Sequence, residues 1–69
     1  MEYFVYVQGS YDSVFVGPFQ KTELASAYVD SAMEIVGTFD AFVMTTTEKE
    51  TQEARYGTLP VYEPRQGPF

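Results

Sequence analysis

Apolar positions in the extended segments of this chain do not alternate with polar ones but run on without interruption. Tyr3, Val5 and Val7 alternate with Phe4 and Tyr6, Val14 and Val16 flank Phe15, and Ala41 and Val43 interleave with Phe42 and Met44. Successive side chains of a strand point to opposite faces, so each segment predicts a strand that is apolar on both faces. Covering two faces takes two layers, and only one segment has the spacing of a covering helix. The other face is left to the C-terminal tail, a second copy of the chain or a partner.

The predicted elements follow from the punctuation between these runs. A first strand over Tyr3–Gln8 is followed by Gly9-Ser10-Tyr11-Asp12-Ser13, a cluster of turn formers that reverses the chain into a second strand, Ser13–Val16. Gly17-Pro18 is expected to end that strand, because proline donates no backbone hydrogen bond, and Phe19 is expected to turn inward before the helix. From about Lys21 to Val36 the period becomes helical. With Glu23 at 0° and about 100° per residue, Leu24, Ala25, Tyr28, Val29, Ala32, Ile35 and Val36 fall on one broad apolar face. Gln20 has capping-box spacing to Glu23 but is a poor cap, so Thr22 is the alternative start, and Gly37 marks the stop. A third strand is predicted from Phe39 to about Thr47. Glu48 to Arg55 reads as an exposed hairpin tip or a short helical turn, and Thr58 to Tyr62 as a short edge strand.

These elements predict an α+β domain over 1–62, with a three- or four-stranded, mainly antiparallel sheet on one helix, and a flexible tail over 63–69. At 69 residues the chain buries only roughly 60% of its unfolded surface, so it needs reinforcement. It has no Cys and no His, which removes disulfides and ordinary zinc sites and leaves oligomerisation or dense aromatic packing. Six Tyr and six Phe supply the rings for either.

Charge narrows the function classes. Ten acidic residues against four basic ones give a net charge of −6, which argues against direct binding of nucleic acid or an anionic membrane and favours a partner with a basic surface. Glu2 stands where a secretory leader would carry positive charge, and no apolar run is long enough to span a membrane, so a cytoplasmic location is expected. Enzymatic chemistry has little to work with: there is no imidazole or thiolate, no phosphate-binding glycine loop, and no catalytic, cofactor or metal site is assigned. Glu48, Glu50 and Glu53 lack the alternating ligands and sharp turn of a calcium loop.

Two groups of residues are candidate partner-binding surfaces. Glu23, Asp30 and Glu34 lie along one line of the predicted helix, about 10 Å and 6 Å apart at ~1.5 Å per residue, a spacing comparable to successive phosphates of a nucleic-acid strand. Together with Glu48, Glu50 and Glu53 they would make an anionic surface that imitates DNA before a DNA-binding protein, although an exposed helix face is polar in any case. The alternative is the aromatic second face, Phe4, Tyr6, Phe15, Phe42 and Met44, acting as a homodimer or protein-binding patch unless Leu59, Val61 and Tyr62 fold over it.

The hairpin, the Val16-Gly17-Pro18-Phe19 corner and the Thr22-Glu23-Leu24-Ala25 helix start resemble a loose class of small β-β-α-β proteins, many of them uncharacterised bacteriophage proteins. The resemblance covers roughly residues 3–44 and implies a phage setting, in which the chain would bind and inhibit a host nucleic-acid-handling protein. It carries over no functional residue. Pro68-Phe69 also resembles the tip of bacterial single-stranded DNA-binding protein tails, with Arg65 and Gln66 where those tails carry aspartates.

Overall fold

The computed structural model describes residues 1–64 and has the element order β1 (Tyr3–Gly9), β2 (Ser13–Phe19), α1 (Thr22–Met33), β3 (Thr38–Thr45), α2 (Thr46–Tyr56) and β4 (Val61–Tyr62). The strands form one mixed sheet in the order β3-β1-β2-β4, with β1 antiparallel to both neighbours and β4 parallel to β2. This is an α+β fold, with the expected edge strand present and one helix more than predicted. The expected tail begins within Glu63 and Pro64; its remainder, including Pro68-Phe69, lies outside the described residues.

Register divides the apolar runs into two cores. Val5 faces Val16 and Val43, and Val7 faces Val14 and Ala41, so these side chains share one face. That face is closed by α1 through Ala25 and Ala32, both fully buried, with Tyr28 and Val29 beside them. Two alanines at this spacing let the helix backbone sit close to the sheet. The cost is that Leu24, expected on the apolar face, lies on the flank and is 54% exposed. Ile35 and Val36, also expected there, are exposed because the helix ends at Met33. Gly37, at φ +98°, carries the chain from that turn into β3.

The opposite face gathers Phe4, Phe15 and Met44, with Tyr6 and Leu59 packed against them. Its cover is α2, the segment expected to be a hairpin tip or a single turn. Thr45 caps this helix: its Oγ1 accepts from the Glu48 N–H at 3.2 Å, while Glu48 Oε1 accepts from the Thr45 N–H at 2.9 Å. The reciprocal pair satisfies two otherwise orphaned donors and starts a helix of 11 residues, so Thr46 and Thr47 belong to α2 and not to the third strand. Val61 and Tyr62 remain 47% and 38% exposed, so within the 58–62 segment only Leu59 helps to cover this face.

Pro18 does not end the second strand. A register shift between the Tyr3↔Phe19 and Val5↔Val16 pairs makes a bulge that takes up Gly17 and Pro18, whose peptide bond is cis. The shift places Phe19 in the α1-side core, 5.6 Å from the Tyr28 ring. β4 pairs only with Phe15 and Val16, so the strand neighbour that would need an N–H from Pro18 is absent among the described residues.

Gly17 has φ +156°, and a Cβ there would meet Phe4 Cδ1 at 2.8 Å and the Tyr3 carbonyl oxygen at 3.0 Å. Gly17→Ala must displace either ring or backbone, and urea unfolding should show a loss of about 2 kcal/mol. Tyr28 Oη is buried without a hydrogen-bond partner, and burial raises its pKa above the ordinary value of 10.0. The ionised form is therefore disfavoured in the folded state. Its contribution is complete below the unfolded pKa and is lost as pH rises through the folded one. Tyr28→Phe should be neutral or stabilising by up to about 1 kcal/mol near pH 7. Urea unfolding from about pH 8 to about pH 11 should show a smaller alkaline loss in the variant than in the wild type.

Candidate functional site: a tyrosine-lined cleft beside a lysine lid

α2 has no apolar stripe, yet it closes an aromatic face, and Lys49 explains how. Its Nζ lies 5.1 Å from the Phe4 ring centroid and 5.3 Å from that of Phe15, so the ammonium sits over two rings. Glu53, one turn on, holds the same Nζ at 3.1 Å. The pair is largely screened from solvent, with side-chain exposures of 14% and 21%. Thr46 ties the helix start to the first strand by donating from Oγ1 to the Glu2 carbonyl at 3.3 Å.

Beside the C-terminal half of α2 lies an open cleft of about 940 Å³. Tyr6, Tyr11, Tyr56 and Tyr62, four of the chain's six tyrosines, line it together with Asp12 and Gln52. The four tyrosines arrive from four different parts of the fold. Tyr6 projects from the aromatic face of β1, edge-on to Phe15 at 5.4 Å and stacked on Phe42 at 5.2 Å. Tyr11 and Asp12 come from the β1–β2 turn, which is closed by the Gly9 N–H donating to the Asp12 carbonyl at 2.8 Å. That turn is held to the α1–β3 loop, where the Ser10 N–H donates to the Gly37 carbonyl at 2.9 Å. Gln52 and Tyr56 lie on α2, and Tyr62 on β4.

Ser13, Val14, Leu59 and Pro60 also line it, and the Phe15 N–H donates to the Pro60 carbonyl at 2.9 Å, which fixes that wall against β2. The fixed parts are therefore the Tyr6 side and the Pro60 wall. Tyr11 and Tyr56, 99% and 73% exposed, are the adjustable parts. Among the described residues the lining carries one carboxylate, Asp12, and no Lys or Arg. Rings with an acidic rim attract cationic and apolar groups, and tyrosine adds a hydroxyl at each ring tip.

The six carboxylates of the anionic surface are not brought together. Glu23, Asp30 and Glu34 are exposed at α1, with Glu34 as the residue that ends the helix, on one side of the sheet. Glu48, Glu50 and Glu53 are on α2, on the other side. Glu48 is engaged in the cap and Glu53 with Lys49, while Glu50 is exposed. Of the aromatic face, Phe4, Phe15 and Met44 are buried and Phe42 is 42% exposed. Tyr6 links that face to the cleft. Sequence reasoning did not find Tyr11, Asp12, Gln52, Tyr56 or Tyr62, because these positions lie far apart in the chain and meet only through the fold. The local signal for α2 was present as the Thr45-x-x-Glu48 spacing.

Among the described residues, no group of three or more His, Cys, Asp or Glu side chains is placed to hold a metal ion, and no helix is long and apolar enough to cross a membrane. No protein-family model matches the chain, and comparison with the curated proteins and with the solved structures finds no match.

The lid can be dissected chemically. Lys49→Ala uncovers two rings and should cost about 2 kcal/mol in urea unfolding. Lys49→Met keeps the stem but loses the charge, and should cost about half as much. Equal losses in the two variants would place the whole contribution in the ammonium group.

Proposed function

We propose that this chain is a non-enzymatic protein-binding module of the small acidic phage type. It takes a basic, extended segment of a host protein into the tyrosine-lined cleft and inhibits that protein by occupying the segment. The observation that carries the reading is the convergence of Tyr6, Tyr11, Tyr56 and Tyr62 with Asp12 on one cleft whose lining, among the described residues, has no basic side chain. A net charge of −6 would speed the approach of a basic partner, and the rings offer faces to Arg, Lys or Pro side chains. A cleft of about 940 Å³ lies at the upper end of the range for small-molecule sites, and its open shape leaves room for several residues of an extended chain. The host cytoplasm is the setting that goes with this reading.

DNA mimicry is a second reading, favoured by one observation: Glu23, Asp30 and Glu34 are all exposed along α1. Because α2 lies across the sheet, this version rests on α1 alone. Its complex would be displaced by duplex DNA and lost in a Glu23→Gln, Asp30→Asn, Glu34→Gln variant.

Short synthetic peptides containing Arg and Pro, with matched peptides in which Arg is replaced by Glu, test the cleft by NMR titration. The basic peptides should shift the Tyr6, Gln52 and Tyr62 resonances and the acidic ones should not. Tyr56→Ala and Tyr62→Ala should each weaken binding about tenfold. Identical responses to both peptide sets, or none at millimolar peptide, would contradict the reading.

A further inference from the structure

Strand β3 is an outer strand of the sheet, eight residues long, and Asp40 is its one charged residue. A strand edge of this kind is a template for pairing with another chain. Which of its amides face outward follows from the sheet's hydrogen-bond alternation. The Gly9 N–H points to the β2 side and the Phe15 N–H to the β4 side. Val5 and Val7 therefore bond β2, while Phe4, Tyr6 and Gln8 bond Met44, Phe42 and Asp40 of β3. A register shift between Gln8 and Gly9 ends the regular alternation before Phe39, and within the regularly paired stretch the outward amides of β3 are those of Ala41, Val43 and Thr45.

Two of these three donors are already occupied by the chain's own carboxylates. Asp40 Oδ1 accepts from the Ala41 N–H at 2.8 Å, and Glu48 Oε1 accepts from the Thr45 N–H at 2.9 Å. Only the Val43 N–H is left open in the middle of the strand among the described residues. The geometry points to β3 as a latent pairing edge for a second copy of this chain, held closed by the Asp40 and Glu48 carboxylates.

The second copy is the fitting occupant because the edge is self-complementary about Phe42. In an antiparallel two-fold pairing centred there, the Ala41 and Val43 of each copy would exchange backbone bonds. The two Phe42 rings, each 42% exposed in the single chain, would meet as a non-hydrogen-bonded pair and lose that exposure. Asp40 blocks this register directly, because it holds the Ala41 donor. Glu48 closes the Thr45 end. A carboxylate that caps a neighbouring amide also leaves its second oxygen and its charge at the edge, where an incoming strand would have to desolvate it.

The chain has no cysteine, so Phe42→Cys reports this register cleanly. A non-hydrogen-bonded cross-strand pair has Cα atoms about 4.5 Å apart, within disulfide reach. Under mild oxidation F42C alone should remain largely uncrosslinked, and D40A/F42C should crosslink about tenfold faster, since pairing no longer requires breaking a capping bond in each copy. D40N/F42C retains a side-chain acceptor and should behave like F42C. Without the cysteine, Asp40→Ala should show a rise toward twice the monomer molar mass in sedimentation equilibrium, and Asp40→Ala/Glu48→Ala a larger one. Because Asp40→Ala leaves the α2 cap intact, its result is independent of helix loss. Three results would overturn the inference: a monomeric, uncrosslinked Asp40→Ala chain, F42C crosslinking as fast as D40A/F42C, or Asp40→Asn opening the edge as fully as Asp40→Ala.

Discussion

A sheet that is apolar on both faces has to be covered twice, and 69 residues leave little chain with which to do it. One cover is conventional: α1 lays Ala25 and Ala32 against the valines of β1 and β2. The other is a helix with no apolar stripe. α2 closes the Phe4, Phe15 and Met44 cluster with Lys49, whose side chain is largely screened from solvent and whose charge is held by the Phe4 and Phe15 rings and by Glu53. The rest of the aromatic face depends on that one side chain staying in place, and the side chain depends on the Thr45–Glu48 cap that starts the helix beneath it.

The reach of this cover sets where the aromatic surface stays open. Near its N-terminus α2 is tied to the first strand through Thr46 and the Glu2 carbonyl, and the rings below are buried. Toward its C-terminus the helix contributes Gln52 and Tyr56 to the cleft, which Tyr6 and Tyr62 also line. The same separation of layers decides the electrostatics. Carboxylates on α1 and on α2 are parted by the sheet, and two of the three on α2 are already engaged within the chain. The acidity is distributed over the molecule and does not form one continuous strip.

Much of the fold was legible because it rests on periodicity. Alternation gave the two faces of β1, helical spacing gave α1, and the turn residues Gly9 to Ser13 gave the hairpin. What was not legible depends on side chains acting against type. Lys49 buries a stem that any hydropathy reading counts as polar. Thr45 to Thr47 look like a β-branched strand end, although Thr45 is a cap and its partner Glu48 lies three residues on. Ile35 and Val36 continue the helical period of α1, but the chain has left the helix by Glu34. The cleft was out of reach for a different reason: its tyrosines span positions 6 to 62, and no spacing rule links them.

Backbone-amide hydrogen exchange of α2 decides whether Lys49 fastens this helix to the sheet. An isolated helix of this length and polarity is marginal in water, so its amides would exchange almost as fast as those of an unstructured peptide. If Lys49 fastens α2 to the aromatic face, the amides of Ala54 and Arg55 should be protected and should open in a single step with those of Phe4 and Met44. Unprotected α2 amides above a protected β1 would contradict the account, because the second face of the sheet would then be closed by something other than this helix.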